Sequence, residues 1–130
     1  MEIEIFTACD SVQNYNNKIV IVGTFHQVNG NLPIKLPNLG VACSIRFNPA
    51  EKIEIKTFEI KFTKGDGTNF AAPIKGSVNY QGGIIETYQV LNICANVTNV
   101  SFTDNCTYYI DLLLDEEIVK RFPIYSNITK

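Results

Sequence analysis

One histidine, no Cys-x-x-Cys pair, no basic run and no long apolar stretch are what this chain of 130 residues is missing. His26 stands alone, so any catalytic triad would have to be built on it, and no nucleophile elbow accompanies the chain's serines and threonines. A histidine-centred metal site is poorer still. With a formal charge of −2 and no basic patch, nothing electrostatic points to nucleic acid or an anionic membrane. No stretch approaches the roughly 18 apolar residues of a spanning helix. The opening, MEIEIFTACDS, is acidic where a signal peptide is basic, so the chain is expected in the cytoplasm.

Helical periodicity is missing too. Apolar residues recur every second position rather than every third and fourth. What is present is an ordinary globular composition, 45% apolar and 18% charged, enough for a single domain spanning residues 1–130 with one core.

The plainest strand signal is at the C-terminus. Cys106, Tyr108, Ile110, Leu112 and Leu114 alternate, Asp115-Glu116-Glu117 turns the chain, and Ile118, Phe122 and Ile124 return. Pro123 donates no ladder bond, which places the returning strand at an edge or a bend. Glu2 and Glu4 alternate with Ile3 and Ile5 in a first strand that Cys9-Asp10-Ser11 should end. Lys18–Phe25 is continuously apolar and reads as covered on both faces, with Gly23 marking a bulge or a close backbone approach.

Residues 26–39, holding Asn29-Gly30, Pro33 and Pro37, read as a connection. Strands follow over residues 41–47 and 53–63, the latter changing phase near Lys56-Thr57, where a β-bulge is expected. Gly65-Asp66-Gly67 closes a hairpin, residues 70–80 are less regular, and Gly82-Gly83 leads into a strand over residues 84–97 that Val100 and Phe102 extend or pack beneath. About seven to nine such strands predict an all-β fold, an antiparallel β-sandwich, with a closed β-barrel as the alternative.

The order of these signals resembles a family of small bacterial proteins known only as a domain of unknown function. The opening Ile5-Phe6-Thr7-Ala8-Cys9-Asp10, the strand Asn17-Lys18-Ile19-Val20-Ile21-Val22-Gly23-Thr24-Phe25, the stretch 58–67 and the ending 108–125 carry the likeness. Glu116 stands where the family commonly has Gly, and Cys106 where Gly often precedes the tyrosine. The resemblance implies a soluble all-β protein and brings no activity with it.

Candidate sites are few. Cys9, Cys43, Cys94 and Cys106 are widely spaced, and Cys43 is in phase with Val41, Ile45 and Phe47, so all four read as reduced thiols. Asp10, Asp66, Asp104 and the 115–117 trio sit in loops as calcium ligands do, but Asp104 and Asp115 flank one strand and should lie at opposite ends. They read as turn residues. The glycine pairs precede no helix that would hold a phosphate. The sequons at Asn96, Asn99, Asn105 and Asn127 fit the turn preference of asparagine.

Tyrosine is more suggestive. Tyr80, Tyr88, Tyr109 and Tyr125, with Leu113, point away from the main core if the alternation holds. Tyr109 and Leu113 share the face opposite Tyr108 and Leu112, and an apolar second face is either covered by the chain's own loops or open as an interface. The expectation is a non-enzymatic module that holds a protein partner, or itself, through a sheet face or edge, with Tyr109, Leu113 and Tyr125 as interface residues. The alternative is a small-ligand sandwich presenting tyrosines to a carbohydrate or peptide. No catalytic residue, metal or cofactor is expected.

Overall fold

The structure, a computed structural model, describes residues 1–78 and 84–128. Tyr80 and Gly82-Gly83 therefore lie outside the described residues. Among the described residues nine strands run in chain order: β1 (Glu2–Tyr15), β2 (Lys18–Phe25), β3 (Gln27–Gly30), β4 (Ile34–Phe47), β5 (Thr57–Lys64), β6 (Asn69–Ser77), β7 (Gln89–Phe102), β8 (Tyr108–Leu114) and β9 (Glu117–Ile128). They form two sheets, ordered β2-β1-β4-β7 and β3-β9-β8-β5-β6, packed as a sandwich rather than closed into a barrel. All pairings are antiparallel except β3 with β9.

The core is the inner face of both sheets. Leu39, Val41, Cys43, Ile45 and Phe47 of β4 meet Ile60 and Phe62 of β5 and Tyr108, Ile110, Leu112 and Leu114 of β8. At one end Phe62, Phe70, Phe102 and Tyr108 stack edge-on or tilted, with ring centroids 4.8 to 5.8 Å apart. Each well-placed ring pair adds about 0.5–1.5 kcal/mol beyond the area it buries. Burial strands the Tyr108 hydroxyl unless it is bonded. It accepts from the Asp104 N–H at 2.9 Å and donates to the Asp104 carbonyl at 3.0 Å.

The C-terminal hairpin forms as expected. Asp115 and Glu116 both take positive φ (47° and 70°), the turn that matches strand twist. Glu116 has no glycine-like freedom there, but the Asp115 carboxylate accepts the N–H groups of Lys56 and Thr57, both at 2.9 Å, and pins the turn to β5. Pro123 lies on the stretch of β9 that β3, paired only from Tyr125 onward, does not reach.

Several boundaries differ. The phase change near Lys56-Thr57 is a break, not a bulge: β5 begins at Thr57, and Lys52 makes only an isolated bridge to Ile84. The 26–39 connection contains the short strand β3 and the start of β4, and residues 70–80 contain the edge strand β6.

The largest difference is at the N-terminus. β1 does not stop at Cys9 but runs to Tyr15 and turns through Asn16 and Asn17, both at positive φ, into β2. Paired residues 10 and 23 form a joint kink. Gly23 takes φ +65°, and the Asp10 side chain occupies the space where a side chain at 23 would stand. Cys9 and Val12, three apart, consequently join one apolar cluster.

That kink folds the tip of the β1–β2 hairpin back over the outer face of β4 and β7. Ser11 backbone and Cys9 Sγ (2.8 Å) crowd the point where a Cβ at Gly40 would be. Gly40, Ala42 and Ser44, the small outer row of β4, leave the room. Beneath the hairpin Cys9, Val12 and Ala42 form a second small core, flanked by Ile5, Ile19, Ile21 and Cys94.

Three asparagines stitch the fold-back. Asn96 donates to the Val12 carbonyl at 2.9 Å and accepts the Val12 N–H at 3.3 Å. Asn38 donates to the Asp10 carbonyl at 2.7 Å and to Asn96 Oδ1 at 3.0 Å, while Asn92 donates to the Asn17 carbonyl at 3.1 Å. The Asp10 and Val12 groups belong to β1 past the point where its ladder with β4 ends at Cys9, and the Asn17 carbonyl to the turn, so the amide side chains supply the missing partners.

Two expectations follow. Asn96→Ala leaves the Val12 groups unpaired and should cost about 1–3 kcal/mol in urea unfolding, with faster amide exchange over residues 11–22. Unchanged stability and exchange would remove the role given to Asn96. Asp115→Asn keeps the turn but removes its charge. The Lys56 and Thr57 N–H groups hold the Asp115 carboxyl below its ordinary 3.8. A depressed carboxyl stabilises the folded state above that ordinary value, and the benefit is lost as pH falls through the lowered folded value. The stability gap between wild type and variant, followed by denaturation against pH, should therefore close below about pH 3.8. A gap independent of pH would show that the charge contributes nothing.

Candidate interaction surface

The fold places Tyr109, Leu113 and Tyr125 on one face, the outer face of the five-stranded sheet, because Tyr109 pairs with Pro123 and the same side of β9 continues to Tyr125. Their accessibility differs. Leu113 is only 5% exposed, covered within its own chain, whereas Tyr125 is 51% exposed. Tyr109 is half-buried, with the Arg121 guanidinium 4.5 Å from its ring centroid.

The cause of this cover is a buried charge. Asp111 lies between Tyr109 and Leu113, 2% exposed, and Arg121 grips it with two bonds of 2.8 and 3.1 Å. A buried carboxylate needs such a paired cation. The bond to Asp111 raises the affinity of Arg121 for its proton, and the guanidinium lies across the tyrosine in the process. Glu59, between Lys61 (3.9 Å) and Lys75 (3.7 Å), continues the charged band. This face is thus a laced polar surface with Tyr125 at its margin.

Accessible apolar surface is found at Ile84, Tyr88, Val90, Ile118 and Val119 and also on β2, the strand whose continuity predicts cover on both faces. It is instead an edge strand, and Val20 (45%) and Val22 (54%) are open to solvent beside Tyr15. Apolar continuity alone does not distinguish a buried strand from an uncovered one. The legible signal is the Asn16-Asn17 pair, which marks a two-residue hairpin and makes β2 the antiparallel partner of β1.

That hairpin also fixes which groups point outward. In a two-residue hairpin Tyr15 and Lys18 close the turn as a hydrogen-bonded pair, so Lys18, Val20 and Val22 bond back to β1. Ile19 and Ile21 turn their N–H and C=O groups to the free edge, and the kink at Gly23 ends that run. Native edges are usually blunted by charge, proline or a bulge. β2 has a single charged residue, Lys18 at its first position, no proline, and one irregularity, the positive-φ Gly23 toward its end.

Concave features are shallow in chemistry. A cavity of about 390 Å³ is lined by Phe58, Glu59, Lys75 and Glu116, and one of about 280 Å³ by Asp10, Thr24, Phe25 and Asn29. Two more, of about 460 and 710 Å³, are lined by Leu36, Pro37 and Val100 and by Ile53, Ile55 and Val78. None of the four brings two aromatic rings together, as stacking on a sugar would need.

The remaining candidates are dispersed. His26 is exposed, and its carbonyl accepts the Tyr125 N–H. Asp66 binds its own turn through Thr68, Asp104 pairs with Lys64 at 2.6 Å, and Asp115 holds the far end of β5. Among the described residues no three His, Cys, Asp or Glu side chains converge as a metal site would require. Tyr88 is exposed beside Arg46, which pairs with Glu2 and Glu4 at 2.8 and 2.6 Å.

The family to which this chain belongs is decided by its sequence profile. Residues 4–126 match DUF6941, a family of unknown function, and the chain is a member of it. No curated protein matches the sequence. The residues matched to DUF6941 run from within β1 to within β9.

All four cysteines are free. Burial pushes the thiols of Cys9, Cys43 and Cys94 up, that of Cys43 to about 12. Thiolate is the reactive form, so Cys43, fully buried on the inner face of β4, should be labelled by a thiol reagent at about pH 8 only as the protein unfolds. Rapid labelling of Cys43 in the native protein, read by mass spectrometry, would contradict its place in the core.

Proposed function

We propose that this DUF6941 protein is a non-enzymatic interaction module of the bacterial cytosol, which takes an extended segment of a protein partner onto the edge of β2. One observation carries the reading. Past Lys18, β2 presents the outward N–H and C=O groups of Ile19 and Ile21 on an edge strand that also carries exposed Val20 and Val22. Strand addition uses both: main-chain bonds supply affinity, and alternate side chains supply selectivity. Free thiols held in the protonated form by burial suit a reducing compartment. The outer face of the five-stranded sheet is the poorer surface for docking, since Leu113 is covered and Asp111 and Arg121 already satisfy one another.

Val20 and Val22 are exposed, so the double change Val20→Lys and Val22→Lys should leave thermal unfolding nearly unchanged. In affinity capture from the native host it should release the partner that the wild type retains, while Tyr125→Ala should retain it. Capture that survives the lysines but is lost with Tyr125→Ala would move the site to the five-stranded sheet and overturn the β2 reading.

A further inference from the structure

We infer that residues 11–22, the tip of the β1–β2 hairpin, form a flap that lifts off β4 and β7 while the sandwich beneath stays folded. The inference is independent of what docks on β2. Three features of the hairpin carry it.

The first is a hinge. β1 pairs with β2 at Ala8 and Cys9 and again from Ser11 to Tyr15, but Asp10 and Gly23 between them form no pair. The ladder of β1 with β4 ends at the same level, with Cys9 opposite Gly40. The flap is therefore joined to the sandwich at two chain crossings where no ladder bond resists a change of angle. Gly23 has φ +65°, and a residue without a Cβ absorbs such a change most easily. Asn38 holds the Asp10 carbonyl at 2.7 Å and fixes the near side of the hinge to β4.

The second is the division of the apolar contacts. The main core, which joins the two sheets, contains no residue of the flap. The flap contributes only to the second cluster, where Val12 is its one buried side chain and Ile19 and Ile21 are partly covered. Lifting it uncovers Cys9 and Ala42 and leaves the main core untouched. A segment held by few buried apolar contacts opens ahead of the global transition.

The third is the kind of bond that holds the flap down. Its latches are the two bonds between Asn96 and Val12, at 2.9 and 3.3 Å, and the 3.1 Å bond from Asn92 to the Asn17 carbonyl. Each joins an amide side chain to a backbone group that water can serve once the flap is up, so no polar group is stranded by opening. The flap keeps its own ladder, Ser11 to Tyr15 against Lys18 to Val22, in either position. The lifted state bares apolar surface on both sides, Cys9, Ala42 and Cys94 below and Val12, Ile19 and Ile21 above. It also carries the free edge at Ile19 and Ile21 away from the sheet.

The test is pulse labelling of the full chain with a thiol reagent at about pH 8, in urea below the unfolding transition, with Cys9 and Cys43 each followed by mass spectrometry. Cys9 should be labelled well ahead of Cys43 and with a weaker dependence on urea, because lifting the flap exposes far less surface than unfolding does. Ile60→Val loosens the main core, so it should speed Cys43 labelling about fivefold and leave Cys9 unchanged. Asn96→Ala should speed both about tenfold, since its latch is absent from the lifted and the unfolded states alike. Cys9 labelled in step with Cys43, or accelerated by Ile60→Val, would mean that it is uncovered only when the whole fold comes apart, and overturns the flap. Fast labelling of Cys9 that Asn96→Ala leaves unchanged would show that the latched hairpin does not cover it, and overturns the flap as well.

Discussion

The smallness of one row of side chains governs this molecule. Along β4 the inner positions carry Leu39, Val41, Cys43, Ile45 and Phe47, and the outer ones carry Gly40, Ala42 and Ser44. A strand built this way is buried on both faces, but only a thin layer fits against the outer one. The backbone of Ser11 and the sulfur of Cys9 sit where any β-carbon at position 40 would intrude. A larger residue there would lift the hairpin and leave the asparagine stitches without their carbonyls.

The surface chemistry follows from that fold-back. Once one side of the hairpin lies on β4 and β7, Ile19, Ile21 and Val12 are turned inward and Tyr15, Val20 and Val22 outward. The free edge of β2 is carried with them to the periphery. In the opposite sheet the same demand, that polar groups find partners once covered, has the reverse effect. Asp111 in the middle of β8 draws Arg121 across Tyr109, and the bidentate pair closes a face that hydrophobicity alone would leave open. The two faces thus end differently: Asp111 and Arg121 close one, while Val20 and Val22 stay exposed on the other.

Much of the architecture was legible. The alternation over Tyr108–Leu114, the Asp115-Glu116 turn, the Gly65-Asp66-Gly67 reversal and Pro123 at an uncovered stretch each depend on neighbouring residues and local geometry. The shared face of Tyr109, Leu113 and Tyr125 was likewise readable from period two. Their exposure was not, because it depends on Arg121 from the next strand. β2 shows the limit most clearly. KIVIVGTF has the composition of a strand sandwiched between layers, and nothing local says that the layer on one side is water.

Sequence alone determined an all-β chain, the phase of its main core strands, the buried place of Cys43 and the turn residues, since these are set by side-chain period and backbone preference within a few positions. Tertiary structure decided that β1 continues past Asp10, that asparagines on β4 and β7 capture the hairpin, and that β2 is left as an open edge. Those outcomes turn on residues 28 to 84 positions apart meeting through unsatisfied backbone groups, a pairing no short window can register.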